Sequence, residues 1–317
     1  MDFVSDILTP LGTKMGDSLN NLARTIIKGG CTFYNRLVNL ASDFFTQSPA
    51  EFAGGEGSDA WNLIMNCNTV FVSIAGTLLI VFWLIGYMSE ITDIRQEVRM
   101  EQQIKMYIKL LFAEFLVCNA LSIVSWIFSI GANVCGKLLG TGMNLGVDYA
   151  ADIRPSLEML NSEINSYVQG LTSLGNNIGL LILAIIFGML IIAIGVTIFL
   201  ASIKRFLKIL VLIPYATLAG ATVAGNHTIQ RTAESFYRYA IAASFEVVTM
   251  LLMLGIGTAL LKGNMLQDLA GTAPAASDGA GTILVYILQM LGAKAVLLGC
   301  VATGIKQSEQ ITQRIVG

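Results

Sequence analysis

Between Asn177 and Ile203 the chain holds no charged residue. Such a run exceeds the ~20 apolar residues that cross the hydrocarbon core of a bilayer, and a helix buried in a soluble protein rarely needs that length. A membrane-spanning helix is the first element the sequence imposes. The run stops on Lys204, Arg205 and Lys208, a basic cluster of the kind retained on the cytoplasmic side, and this orients the span. The next stretch, Ile209 to Gly225, is also uncharged but shorter, is interrupted by Pro214, and ends in small residues that include Gly220 and Gly225. Non-helical backbone at membrane depth survives only where protein or water satisfies its amides. The stretch therefore predicts a re-entrant or half-depth hairpin that turns at Pro214 under the shelter of neighbouring helices or subunits.

Further apolar runs extend the pattern. Trp61–Met88, Leu110–Gly136, Tyr239–Leu261 and Thr282–Ile305 each have the length of a crossing. Apolar residues make up 55% of the chain and charged ones 13%, and mean hydropathy is +0.70, which places the chain outside the soluble class. The expected fold is all-α: a polytopic membrane helical bundle with about five full spans, the one re-entrant hairpin, and an N-terminal amphipathic helix. In that helix Ile7, Leu11, Met15, Leu19, Leu22 and Ile26 recur at three- and four-residue spacing with charges between them, and Gly29-Gly30 reads as its stop. A weaker amphipathic stretch covers Phe33–Phe45, and Ser48–Ala60 reads as an acidic, Gly- and Ser-rich linker. The division that follows is residues 1–60 as an N-terminal helical segment and linker, and 61–317 as the transmembrane domain.

With the Pro214 element returning to the side it left, the inner segments hold eleven basic residues against seven in the longer outer ones. Basic excess marks the cytoplasmic side, so the N-terminus is expected outside and the C-terminus inside. The inner segment Ser89–Lys109 is densely charged, and Glu97, Glu101 and Lys105 stand at helical pairing distance. The outer loop Lys137–Asn176 sets Arg154 against Asp148, Asp152, Glu158 and Glu163.

Catalytic chemistry finds little to stand on. Gly131 to Lys137 has the GxxxxGK spacing, but Leu138 replaces the Ser or Thr that would hold Mg²⁺, and the run ends a membrane span instead of following a strand. One histidine and five cysteines without ligand spacing offer no metal site or triad, so no catalytic residue, cofactor or metal is assigned. Net charge of −2 provides no global basic field for nucleic acid. The stronger local signal is ionisable residues within spans, which hydrocarbon penalises. Glu246 stands about 10 Å from the inner end of its span and Lys294 roughly 16 Å from the same side at 1.5 Å per residue, so an intramembrane Glu246–Lys294 pair is expected. Glu114 is shallower and reads as an interfacial acid.

The segment IKRFLKILVLIPYATLAGATVAGNHTIQRTAESFYRYAIAASFEVVTMLLMLGIG resembles the central region of the TrbL-like polytopic inner-membrane components of conjugative type IV secretion systems. The shared features are a basic stop after a long span, an apolar stretch with a central proline, a short polar stretch, and a tyrosine-bearing entry into a span with a polar residue. The chain differs in the shortness of its outer loop. The resemblance implies a non-enzymatic, homo-oligomeric scaffold or channel subunit in a bacterial inner membrane. Its partners would be other secretion channel subunits, a separate ATPase and membrane lipids, with protein-linked single-stranded DNA or protein as cargo. Two other readings remain from the residues alone: a secondary transporter with its site at the Pro214 break beside Glu246 and Lys294, and a stand-alone pore-forming or lipid-organising oligomer. The topology carries a direct test. Green fluorescent protein fused after Gly317 should fluoresce and alkaline phosphatase at the same position should be inactive; the reverse would place the C-terminus outside.

Overall fold

A computed structural model describes residues 2–91, 100–143, 145–147, 170–262 and 280–316. Among them the chain forms helices and short turns with no strand. The helices are α1 (Asp2–Thr46), α2 (Pro49–Phe52), α3 (Asp59–Ile91), α4 (Met100–Cys118), α5 (Ala120–Gly140), α6 (Gly170–Thr222), α7 (His227–Lys262) and α8 (Ala280–Val316). Among the described residues five stretches are long and apolar enough to cross a membrane: Asp59–Ser89, Ala120–Gly140, Ile178–Thr222, His227–Leu261 and Thr282–Ile315. The chain is thus a polytopic helical membrane bundle. The acids and Arg154 of the outer loop, the loop 263–279 and Glu97 lie outside the described residues.

Three local expectations change. First, the chain does not turn back at Pro214, because α6 passes through it as one helix of 53 residues and reversal waits until 223–226. Pro214 is buried, and the Thr217 hydroxyl donates to its carbonyl at 2.8 Å. In apolar surroundings a broken helix would strand several amides, so one lost hydrogen bond with a nearby hydroxyl is the cheaper state. Second, Gly29-Gly30 does not stop α1, which runs on to Thr46. Gly30 serves close approach instead, since a Cβ there would come within 3.2 Å of the Gly188 carbonyl oxygen. Third, the span expected from Leu110 is broken at Asn119, where α4 gives way to α5. The Asn119 side chain donates to the Phe115 carbonyl at 2.9 Å, beside the bond of 3.0 Å that the same carbonyl accepts from the Asn119 N–H.

The described residues form two units. One comprises Met1–Ala41, Met143–Leu200 and Leu252–Lys306. Its α1 buries Ala23, Ile27, Gly30, Tyr34, Leu37, Val38 and Ala41, while Met15 and Leu22 are half exposed. The buried face is therefore rotated from the large-residue stripe of the sequence, because small residues on both helices let α1 and α6 approach. Asn35 adds a polar tie: its amide nitrogen donates to the Val147 carbonyl at 2.8 Å and its oxygen accepts from the Val147 N–H at 2.9 Å.

The other unit comprises Ser42–Gly142, Ala201–Leu251 and Gln307–Gly317. In it α3, α4 and α5 pack on the second part of α6. One cluster joins Trp61, Ala120, Val124, Phe128, Ile209, Ile213, Ala216 and Ala243. A second joins Ala75, Leu79, Ala113, Val117, Ala221 and Ala224. The alanines are placed where backbones meet, as packing in hydrocarbon demands. The loop before α3 is ordered: Ser48 and Glu51 form a capping box on α2, and Gly54, Gly55 and Gly57 hold positive φ. Large apolar side chains of α3 and α4, including Leu63, Val70, Ile80, Ile108 and Leu111, are exposed and form a face suited to lipid.

At Gly131 a Cβ would come within 2.4 Å of the backbone carbonyl oxygen of Ser244, whereas a Cβ on Gly29 meets nothing within 4 Å. Gly131→Ala should therefore lower stability by about 1–3 kcal/mol through overpacking. Gly29→Ala should hold or gain up to about 1 kcal/mol. Thermal unfolding of the two variants in detergent checks the contrast.

Candidate functional site

Inside the second unit, three helices direct charged side chains toward one another. On α6, Arg205 and Lys208 stand one turn apart and face α7. On α7, Tyr239 and Glu246 are two turns apart on one face. The end of α8 adds Ser308, Glu309, Thr312 and Gln313. Lys208 Nζ is 2.7 Å from Glu309 Oε1 and 3.4 Å from Glu246 Oε2, and it lies 4.8 Å from the centre of the Tyr239 ring. The Ser308 hydroxyl donates to Glu246 Oε1 at 3.4 Å. The Tyr239 hydroxyl and Gln313 Nε2 each donate to Glu309 Oε1 at 3.3 Å. Thr249 and Thr312 share a hydrogen bond of 3.0 Å.

Burial ranks these charges. The Glu246 side chain is 7% exposed, Lys208 20% and Glu309 37%, so the Lys208–Glu246 contact is the screened-from-water part and Glu309 opens outward. Arg205 is buried, with Nε on the Ala243 carbonyl at 3.4 Å and Nη2 on the Ser244 carbonyl at 3.5 Å. Its Nη1 has no hydrogen-bond partner among the described residues, and its charge is within electrostatic reach of Glu246. Two carboxylates thus face Lys208 and Arg205 across α6, α7 and α8. Such a cluster holds helices in register; among the described residues no group of His, Cys, Asp and Glu is arranged to bind a metal.

The other residues singled out in the sequence have separate places. Lys204 is exposed on α6, and Glu114 is exposed on α4 beside Phe112 and Phe115. Gly220 lies against α4, where a Cβ would come within 3.3 Å of the Leu116 backbone. The Gly225 carbonyl accepts a hydrogen bond from Lys109 Nζ, so α4 supplies a cation to the carbonyl end of α6. The cation brought to Glu246 is Lys208, where the sequence reading expected Lys294. Lys294 is buried and belongs to the first unit. It lies on α8 fourteen positions before Ser308, about 21 Å along the axis. The expected pairing rested on similar depth of the two charges; α8 continues past Ile305 to Val316, and the Tyr239 hydroxyl reaches Glu309. Glu309 and Lys109 were not singled out in the sequence; the i, i+4 spacing of Glu309 and Gln313 is the signal that α8 goes on.

A family model described as "TrbL/VirB6 plasmid conjugal transfer like protein" matches residues 34–217. No curated protein and no solved structure matches the chain. The matched region contains Lys204, Arg205, Lys208 and Pro214 and ends before Glu246 and Glu309.

Removing Lys208 leaves Glu246 buried beside one weakly bonded guanidinium. Lys208→Met should cost about 3 kcal/mol. Glu309→Gln, at a more exposed position, should cost under about 1 kcal/mol. The double variant Lys208→Met/Glu246→Leu should recover at least half of the loss. A double-mutant cycle on unfolding in detergent measures the coupling, and additivity of the single effects would show that the two charges act independently.

Proposed function

Because the chain belongs to the TrbL/VirB6 plasmid conjugal transfer family, and so is a multi-pass bacterial membrane component of conjugal transfer and type IV secretion, we propose that it is an oligomeric scaffold of the transfer channel. One observation carries this reading beyond the family. In the second unit Lys208 of α6 is spent on Glu246 of α7 and Glu309 of α8, and this cluster braces the three helices. The chemistry of such a machine then falls to partners: a separate ATPase, further channel subunits, and protein-linked single-stranded DNA as cargo. The exposed apolar faces of α3 and α4 suit lipid, and the inner membrane with the N-terminus outside and the C-terminus inside is the placement that fits the basic residues.

The transporter reading loses its main support in the unbroken α6, since an interrupted helix at Pro214 was its substrate site. An in-frame deletion tests the proposal. Plasmid transfer should fall at least a thousandfold and return when the intact chain is supplied in trans, and the chain extracted in mild detergent should have the mass of several copies. Transfer at the unaltered frequency, or a solitary monomer under all gentle extraction conditions, would refute the scaffold role.

A further inference from the structure

In the first unit, α1 lies beside the first part of α6 and runs in the same direction. Ile26 and Gly30 meet Gly188, and Tyr34 and Leu37 meet Gly195. Those contacts set the level of α1 against the uncharged run of α6. Gly188 stands about 15 Å from Ile178 and about 22 Å from Ile203, at 1.5 Å per residue. Lys28, half a turn before Gly30, is therefore near the middle of the apolar run, too far from either end for a lysine stem to snorkel out. On α6 the outward residues at this level, such as Ile182, Ile186 and Met189, are exposed and apolar, as acyl chains require.

The outward face of α1 at the same level is of the opposite kind. Lys14, Asn21, Thr25, Lys28, Thr32 and Arg36 follow one another at helical spacing and are all exposed. None of Lys14, Lys28 and Arg36 has an ion-pair partner among the described residues. The Thr25 and Thr32 hydroxyls bond to the carbonyls of Asn21 and Lys28 in their own helix, both at 2.8 Å, so they hold no neighbouring helix. Lys28 and Arg36, at the level of this run, do not face hydrocarbon; they face water or a polar cavity, and Lys14, about 24 Å before Gly30 along the helix, continues their row past the end of the run.

We propose that this face of α1 lines an aqueous lumen enclosed by several copies of the chain, and that its stripe of Lys14, Lys28 and Arg36 receives the phosphates of an extended nucleic-acid strand. The proposal rests on the transfer-channel reading for its cargo, while the wet face stands on the level of α1 against α6. Water at this level satisfies the lysine and arginine heads, and a row of cations attracts a polyanion without selecting its sequence.

The test uses the full chain in cells that carry the rest of the transfer system, with the exposed Cys67, Cys118 and Cys300 changed to serine. Thr25→Cys and Thr32→Cys should react with a charged, membrane-impermeant thiosulfonate at least tenfold faster than Ile182→Cys and Met189→Cys. Lys28→Glu combined with Arg36→Glu should lower plasmid transfer at least tenfold with the amount of membrane-inserted chain unchanged. Thr32→Cys as slow as Met189→Cys would overturn the lumen, because the face would be covered by protein or lipid. All four positions equally fast would overturn it too, because the run of α6 would not lie in lipid. Fast labelling with unimpaired transfer in the double reversal would overturn the nucleic-acid assignment. The deletion strain separates these results from the functional reading: if transfer survives loss of the whole chain, that reading fails whatever the labelling shows.

Discussion

A carboxylate among apolar helices is costly unless a cation reaches it, and the second unit depends on that constraint at Glu246. The distance from Lys208 is 3.4 Å, and Ser308 covers the other carboxylate oxygen. Since the three residues come from α6, α7 and α8, one electrostatic requirement ties three helices together. Hydrocarbon packing alone does not discriminate one sliding position of two smooth helices from another, because lipid tails are as apolar as leucine. An ion pair does discriminate, since displacing α7 by a turn would strand both charges. The small residues act in the same direction by shape: Gly131 admits the Ser244 carbonyl, and Ser244 in turn donates to Ile127 at 2.7 Å.

The same physics explains the continuity of α6. In water a proline in mid-helix invites a turn, since freed amides find solvent. Surrounded by Ile209, Ile213 and Ala216, the backbone has no such alternative, and the helix persists through Pro214 with Thr217 beside it. The reversal occurs where polar help exists, at the Gly225 carbonyl met by Lys109. Trp83, which donates to the Met106 carbonyl at 3.4 Å and lies 5.8 Å from Tyr107, shields that corner with an aromatic lid.

The spans were legible in the sequence because hydropathy is a property of composition over a window, and no tertiary contact is needed to compute it. Glu246, Arg205 and Lys208 were legible as residues for a related reason: charge beside or within apolar runs is conspicuous. Their partners were not. Pairing depends on how far each helix continues past its apolar stretch; beyond Ile305 the local mark is no more than the Glu309–Gln313 spacing, and Gly29-Gly30 carries none that says whether the helix ends or continues. A glycine pair is equally the sign of a stop and of a close crossing, and only the presence of Gly188 opposite decides. Met15 and Leu22 misled for the complementary reason, since large side chains dominate a hydrophobic pattern while alanine and glycine make the closest interface.

The Asn35 clamp on Val147 has a mechanical meaning. A carboxamide offers one donor and one acceptor in the spacing of a peptide group, so it binds the backbone of Val147 as a neighbouring strand would, in one polarity only. An aspartate would repel the carbonyl and a leucine would offer nothing. Val147 is therefore held at a fixed point on the flank of α1, and tension applied at that residue would be delivered to the helix through both bonds at once.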